Sequence, residues 1–375
     1  MRLGHASADG FDLGSDVRIG NRSFLAEGVS IGSGTEIEVG TFVDRSVGSN
    51  LVIQGSPMVE ISGFNWPSAR PVKNKRWVIA YALSPSLFAI VQLATYIPML
   101  LLINIANSSA RVSQLGELLI SWALVLGPFT AVVSTVVQGL VIRIATRSVK
   151  AGLFSTDSRE GYASWVVERL LQRSRRNSYW VYASVVTPIW ARLLGAKVGK
   201  NCEISTFNGQ IGLVEIGDEC FIADDVSLAP REIKSGWVRI GSVLLESRSF
   251  MGNSGHAGAD VKVSTGVLVG VASIAPANNV ANAAFLGIPP VEFPHITAQV
   301  ENRLTYAPTA SLKAKRLSVE IFRLLPAAIN YVLLGSMLFF VEQLTTNNGP
   351  QFIWVICYGL LYTLASYAAV LTVIA

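Results

Sequence analysis

From Leu13 onward an aliphatic residue returns at every sixth position: Leu13, Ile19, Leu25, Ile31, Ile37 and Val43 each open a hexad whose fifth place holds Val, Ser or Thr. That period predicts a parallel β-helix, in which three hexads complete one triangular coil. The aliphatic residue points into the core and the small fifth residue fits beside the corner. A second run begins at Val198 with VGKNCE, IGDECF and IADDVS, and resumes with LESRSF, MGNSGH, AGADVK, VSTGVL and VGVASI. Between these parts the register breaks at LAPREIKSGWVRIGSVL. Residues Ala229 to Arg239 are therefore expected to leave the coil as a loop, where function tends to collect.

The second pattern is unbroken apolarity. No charged residue lies between Arg76 and Arg111, between Glu117 and Arg143, between Arg323 and Glu342, or from Phe352 to Ala375. About 20 apolar residues span a hydrocarbon core, so the stretches predict four transmembrane helices in two hairpins. Arg70, Lys73, Lys75 and Arg76 precede the first span, Arg143, Arg147 and Lys150 follow the second, and Lys313, Lys315, Arg316 and Arg323 precede the third. The opposite turns hold one Arg and none. By the positive-inside rule this is a multi-pass protein of the cell (inner) membrane with its β-helices in the cytoplasm. The N-terminus lacks the apolar core of a cleavable signal.

The fold expected is thus mixed: parallel β-helices alternating with membrane hairpins. The divisions are a partial β-helix (1–62), a basic linker (63–76), a hairpin (77–146), amphipathic or interfacial helices (147–195), a second β-helix (196–296), a linker (297–323) and a second hairpin (324–375). In the 147–195 segment Trp165, Val166, Leu170 and Leu171 share a helical face that suits either anionic lipid or the flank of the β-helix.

Composition agrees with a lipid bilayer as partner, at 51% hydrophobic and 15% charged residues with a mean hydropathy of +0.45. The formal charge of +5 is accounted for by the linkers that flank the spans. It needs no nucleic acid, and no aromatic-basic motif for one is present. Cys202 and Cys220 fall in small fifth places of hexads and Cys357 in a span, so none argues for oxidation.

The two patterns repeat together. GSPMVEI at Gly55 returns as GIPPVEF at Gly287, 232 positions on, and RSFL at Arg22 returns as RSFM at Arg248. Each Gly-x-Pro phrase is followed by a basic linker, KNKR at Lys73 and KAKR at Lys313, and then by a hairpin. The unit is a β-helix followed by two spans, and each Pro is expected to end strand pairing at the exit. Six hexads make only about two coils, fewer than repeat folds need to bury their ends. The first β-helix is accordingly expected to associate with another chain or to belong to a longer array.

The order WARLLGAKVGKNCEIST, LVEIGDECFIADDVSL, RSFMGNSG, LVGVAS and FLGIPPVEFP resembles the C-terminal region of poly-lysine-synthetase-like nonribosomal peptide synthetases. The resemblance implies left-handed hexapeptide β-helices, transmembrane pairs and the joining of thioester-activated amino acids. It also implies adenylation and carrier domains, in this chain's own polypeptide or another, because neither an adenylation signature nor a Gly-Gly-x-Ser carrier segment is present. No bound cofactor or metal is expected; carrier phosphopantetheine or a CoA thioester would arrive as substrate.

Acyl transfer to an amine needs a base and donors for the developing oxyanion. Among His5, His256 and His295 the best-placed base is His256, which closes the hexad MGNSGH, although a plain corner histidine fits the same position. In the loop, Glu232 is a second base or an ammonium holder, Arg231 a phosphate partner, and Trp237 a binding residue or a side chain tucked against the coil. Asp224, Asp225 and Asn253 are the remaining candidate substrate contacts, the acids also reading as solvated turns. The alternatives are an acetyl-CoA-dependent acetyltransferase acting on a saccharide or lipid, and a non-catalytic membrane scaffold.

Overall fold

The computed structural model describes residues 10–94, 97, 112–294, 306 and 308–348, so the expected last span (352–375), His5 and His295 lie outside them. The chain forms two compact units, one of residues 1–81, 142–172 and 186–308, the other of residues 82–141, 173–185 and 309–375.

The first unit contains both β-helices. In the first, residues Asp12–Leu13 and Ser30–Ile31 form face A, Arg18–Ile19, Glu36–Ile37 and Val52–Gln54 form face B, and Phe24–Leu25 and Phe42–Val43 form face C. Every pair is parallel and in register one coil apart, as the hexads require. Ile31, Ile37, Val43 and Ile53 fill the core. Each such side chain is worth about 1.5–3 kcal/mol on burial. In the second β-helix face A′ stacks Lys197–Val198, Val214–Ile216, Val243–Leu245 and Val261–Val263. Face B′ stacks Glu203–Ile204, Phe221–Ile222, Phe250–Met251, Leu268–Val269 and Ala284–Leu286. Face C′ stacks Phe207–Gly209, Val226–Leu228 and His256–Ala257.

The two Gly-x-Pro exits are the same device. Gly55 and Gly287 take φ of 86° and 90°, a region that favours glycine. The Gly55 amide donates to Thr41 Oγ1 at 3.0 Å and the Gly287 amide to Ser273 Oγ at 2.8 Å. Pairing does not stop at the proline. The chain turns back, and Val59–Glu60 and Val291–Phe293 run antiparallel to the strands they follow, capping the open edge. These matches fix the structural offset between the repeats at the 232 positions separating Gly55 from Gly287. The RSFL and RSFM phrases lie one hexad out of that register, because every corner of a hexad fold favours similar residues.

The expected loop is ordered. Glu232–Lys234 pairs antiparallel with Trp237–Ile240, whose other edge takes Gly152–Ser155. The sequence break was visible, but the strand that completes this sheet comes from 75 or more residues upstream. The helices in chain order are α1 (Lys75–Ala94), α2 (Val112–Ser121), α3 (Ala123–Thr146), α4 (Arg159–Asn177), α5 (Thr187–Leu194), α6 (Ala310–Glu320) and α7 (Leu325–Asn348). The first part of α4 packs on the second β-helix: Val167, Leu170 and Leu171 are buried, Gln210 Nε2 donates to Ser164 O at 3.2 Å, and Glu168 pairs with Arg231. The apolar face of α4 thus meets protein.

In the second unit α2 and α7 cross at glycines. A methyl group added to Gly116 or Gly335 would meet the carbonyl oxygen of the other at 2.6 Å, a close approach that only small residues permit. Leu119, Ala123 and Tyr331 form the adjoining core, and the Tyr331 and Thr130 hydroxyls bond at 2.7 Å. Among the described residues three helical stretches, Lys75–Ala94, Ala123–Thr146 and Ala310–Met337, are long and apolar enough to cross a membrane.

Candidate functional site

Face B of the first β-helix lies against face C′ of the second. Strand alternation puts Ile19 and Ile37 in the core and turns Arg18 and Glu36 outward; likewise Ala257 points inward and His256 outward. Arg18 bonds Glu36 and Glu38, each at 2.7 Å. Lys234, from the hairpin of the second β-helix, reaches across to Glu36 at 2.8 Å and to the Gly34 carbonyl at 2.9 Å. Trp66 Nε1 adds a third donor to Glu36 at 3.1 Å. Glu36 is only 3% exposed, and this fully bonded carboxylate fastens the seam, since leaving it buried without donors would cost several kcal/mol.

At the inner edge of the seam the two corners touch. Arg22 pairs with Asp225 and donates to the Ser254 carbonyl at 2.9 Å, and the Ser56 amide donates to the Ile288 carbonyl at 2.9 Å. His256 stands between these edges, half-buried, and among the described residues its ring has no hydrogen-bond partner. Burial first, then the positive charges of Arg18 and Arg22, pull its pKa from 6.5 to about 4. The imidazole is therefore neutral at physiological pH, with an unprotonated ring nitrogen, and is a weaker base than a solvated histidine.

The other sequence candidates separate into two groups. Asp225 and Asn253 border the same corner as His256: Asn208 Nδ2 donates to Asp225 at 2.7 Å, and Asn253 Oδ1 accepts from the Asp224 amide at 3.0 Å. Asp224 accepts from Thr206 Oγ1 at 2.9 Å. Glu232 sits at the outer edge, bonded to Arg239 at 3.2 Å; burial raises its pKa while Arg239 and Arg18 oppose the rise. Arg231 and Trp237 are engaged elsewhere. Arg231 pairs with Glu168 of α4 and is largely buried, and Trp237 Nε1 donates to the Ala69 carbonyl at 2.8 Å. The residues that sequence reasoning missed are Arg18, Arg22, Glu36 and Glu38, which Lys234 of the hairpin joins. Their signal was present, as charges recurring at outward hexad places of the first β-helix. Away from the seam, an open groove of about 580 Å³ runs along face A′ between Lys197, Glu215, Leu244 and Thr265.

No protein-family model matches the chain. Among known structures it is similar to a hexapeptide-repeat-containing acetyltransferase of Vibrio cholerae, at 10% identity and a TM-score of 0.24 over 44% of this chain and 92% of that one. It is also similar to the serine acetyltransferase of Neisseria gonorrhoeae, at 12% identity and a TM-score of 0.24 over 54% of this chain and 95% of that one. At that TM-score neither likeness bears on what this chain does. A curated relative, Delta-poly-L-ornithine synthetase of Acinetobacter baumannii (strain AB307-0294), is 26% identical over 347 residues, which is 87% of this chain and 26% of the relative. The chain thus spans about a quarter of the length of the poly-amino-acid synthetase it resembles.

Proposed function

We propose that this chain is a membrane-anchored, hexapeptide-repeat acyltransferase-like module that forms amide bonds between thioester-activated amino acids. The observation that carries the reading is His256, neutral and half-buried in the seam between two β-helices. The resemblance to Delta-poly-L-ornithine synthetase points to amino acids with a second amine as substrates. In this reading the substrate amine enters neutral and adds to the thioester carbonyl, His256 takes the proton its nitrogen sheds as the carbon–nitrogen bond forms and makes that nitrogen acidic, and the carbon–sulfur bond breaks. The sulfur leaves as a thiol, taking up the proton held by His256. Asp225 and Glu38, each paired with an arginine, are the carboxylates that a cationic amino acid would meet by exchanging for that arginine, and Arg22 offers a contact for the phosphate of a pantetheine arm. Adenylation and carrier domains, in the same polypeptide or another, would supply the thioester.

A scaffold reading has one observation in its favour. Arg18, Arg22, Glu36, Glu38, Glu232 and Lys234 are all in ion pairs, and two of these, Arg22–Asp225 and Lys234–Glu36, join the walls. The experiment that separates the two is turnover of a carrier-bound amino acid by the chain in lipid, supplied with the synthetase's carrier. His256→Asn should lower kcat by about 100-fold or more with little change in KM, the usual worth of a general base. Undiminished product would assign the seam to architecture. Consumption of acetyl-CoA in place of the carrier thioester would select the acetyltransferase alternative.

A further inference from the structure

Helix α1 is long and apolar enough to cross a bilayer, but the helix laid along it is not. Helix α4 carries Arg159, Arg169, Arg173, Arg175 and Arg176. In the first unit the rings of Trp77 and Tyr162 lie 5.3 Å apart, and those of Tyr81 and Trp165 lie 5.0 Å apart. In the second unit Arg173 lies over the Phe88 ring at 5.6 Å, and Asn177 Nδ2 donates to Gln92 Oε1 at 2.7 Å. The pairs Trp77–Tyr162, Phe88–Arg173 and Gln92–Asn177 are each 85 positions apart. The two helices therefore run parallel and in step for about four turns.

Helix α4 does not cross. A crossing would need a return before the strand Lys197–Val198, and 19 residues separate Asn177 from Lys197. Eight of them form α5, whose Trp190 and Leu194 are buried, and the rest are too few for the spanning helix that hydrocarbon demands. Arginines along the whole of α4 would also be costly there. Helix α1 accordingly keeps to the level of α4 as far as Gln92. The sequence leaves room for a crossing beyond it: the uncharged run from Trp77 to Ala110 is 34 residues, and 18 of these follow Gln92, within the about 17–25 that a span takes.

The side of α1 turned away from α4 is apolar and uncovered, with Ile79, Leu83, Leu87 and Ile90 at 52–62% exposure. Its surroundings say what covers it. A crossing helix carries basic residues at its ends, whereas α4 carries them from Arg159 to Arg176, along the full length of the pair. Arg169 and Arg176 are exposed and seven positions apart, on the same stripe as Tyr162 and Arg173, which meets α1. The Arg169 guanidinium rests over Trp165 at 5.8 Å, and tryptophan and tyrosine are the residues of the membrane–water boundary. We propose that α1 and α4 lie together in the plane of the membrane surface as an anionic-lipid platform. Helix α1 rests on the acyl chains, and Arg169 and Arg176 take the phosphates of anionic phospholipid headgroups. Helix α1 is then an in-plane helix rather than the first span. The inference rests on the helices and is independent of the acyl-transfer reading.

The test uses the full chain, carrying Cys202→Ser, Cys220→Ser and Cys357→Ser, in vesicles of phosphatidylcholine and phosphatidylglycerol. A nitroxide is attached to a single cysteine placed at Ile79, Leu83 or Ile90, and its collisions with oxygen and with a water-soluble nickel chelate read its depth. The expected result is one depth at all three sites, about 5–10 Å into the headgroup and acyl boundary. A depth that changes by about 1.5 Å per residue along α1 would show a crossing helix and overturn the proposal. Free access of the nickel chelate at the three sites would overturn it too, as would exclusion of both reagents by a protein partner or a second copy. Spin-labelled lipids test the headgroup contact. Arg169→Gln combined with Arg176→Gln, both at exposed positions, should lower the preference for phosphatidylglycerol over phosphatidylcholine by about fivefold for each charge removed. An unchanged preference would overturn the headgroup assignment.

Discussion

His256 is held neutral by its neighbours, and that has a thermodynamic counterpart. Its folded pKa is about 4 against an ordinary 6.5, through burial and then Arg18 and Arg22. The unfolded chain takes up this proton near pH 6.5 while the folded chain resists it until about pH 4. The contribution to stability is therefore complete above about 6.5 and is lost as the pH falls to about 4. Thermal unfolding in detergent should show the wild type losing more Tm between pH 7 and pH 4 than His256→Asn, which has no imidazole to protonate. Equal losses would place the pH sensitivity in other groups. The histidine itself could be selected from sequence, because the chain holds only three. What could not be read was its setting: Arg18 and Arg22 lie more than 230 positions away and meet it only because one β-helix is laid against another.

At the scale of elements, hexad periodicity was enough to place both β-helices and their exits, since inward and outward places follow directly from a fixed six-residue step. The hairpin Glu232–Ile240 was legible only as an interruption. Its third strand, Gly152–Ser155, comes from a segment whose helical pattern dominates its surroundings. The crossing of α2 and α7 was not legible either, as α7 has no distinct apolar face and a single glycine in each helix carries no periodic signal. That crossing yields a prediction. Gly335→Leu forces a side chain against the Gly116 carbonyl, a backbone group that cannot step aside. The change should destabilise the helical unit by about 1–3 kcal/mol, as overpacking does, read as a lower Tm in detergent. Gly335→Ala should cost less, and an unchanged Tm for the leucine variant would mean that the helices do not meet there.

For the molecule as a whole, we propose from the basic linkers and the nearly uncharged opposite turns that both β-helices face the cytoplasm. Single-cysteine variants tested on intact cells should be labelled from outside at Ser108 and Asn347 and protected at Ser242; labelling of Ser242 would reverse the orientation. The seam has one further consequence at this scale. Its two walls belong to a single polypeptide, so they find each other at the effective concentration set by tethering, independent of how much protein is present. Specific activity should then be insensitive to dilution in lipid. The duplication also frees each wall to change alone: a substitution at Arg18 alters one side of the pocket without being copied to the other, a freedom that a ring of identical subunits does not have.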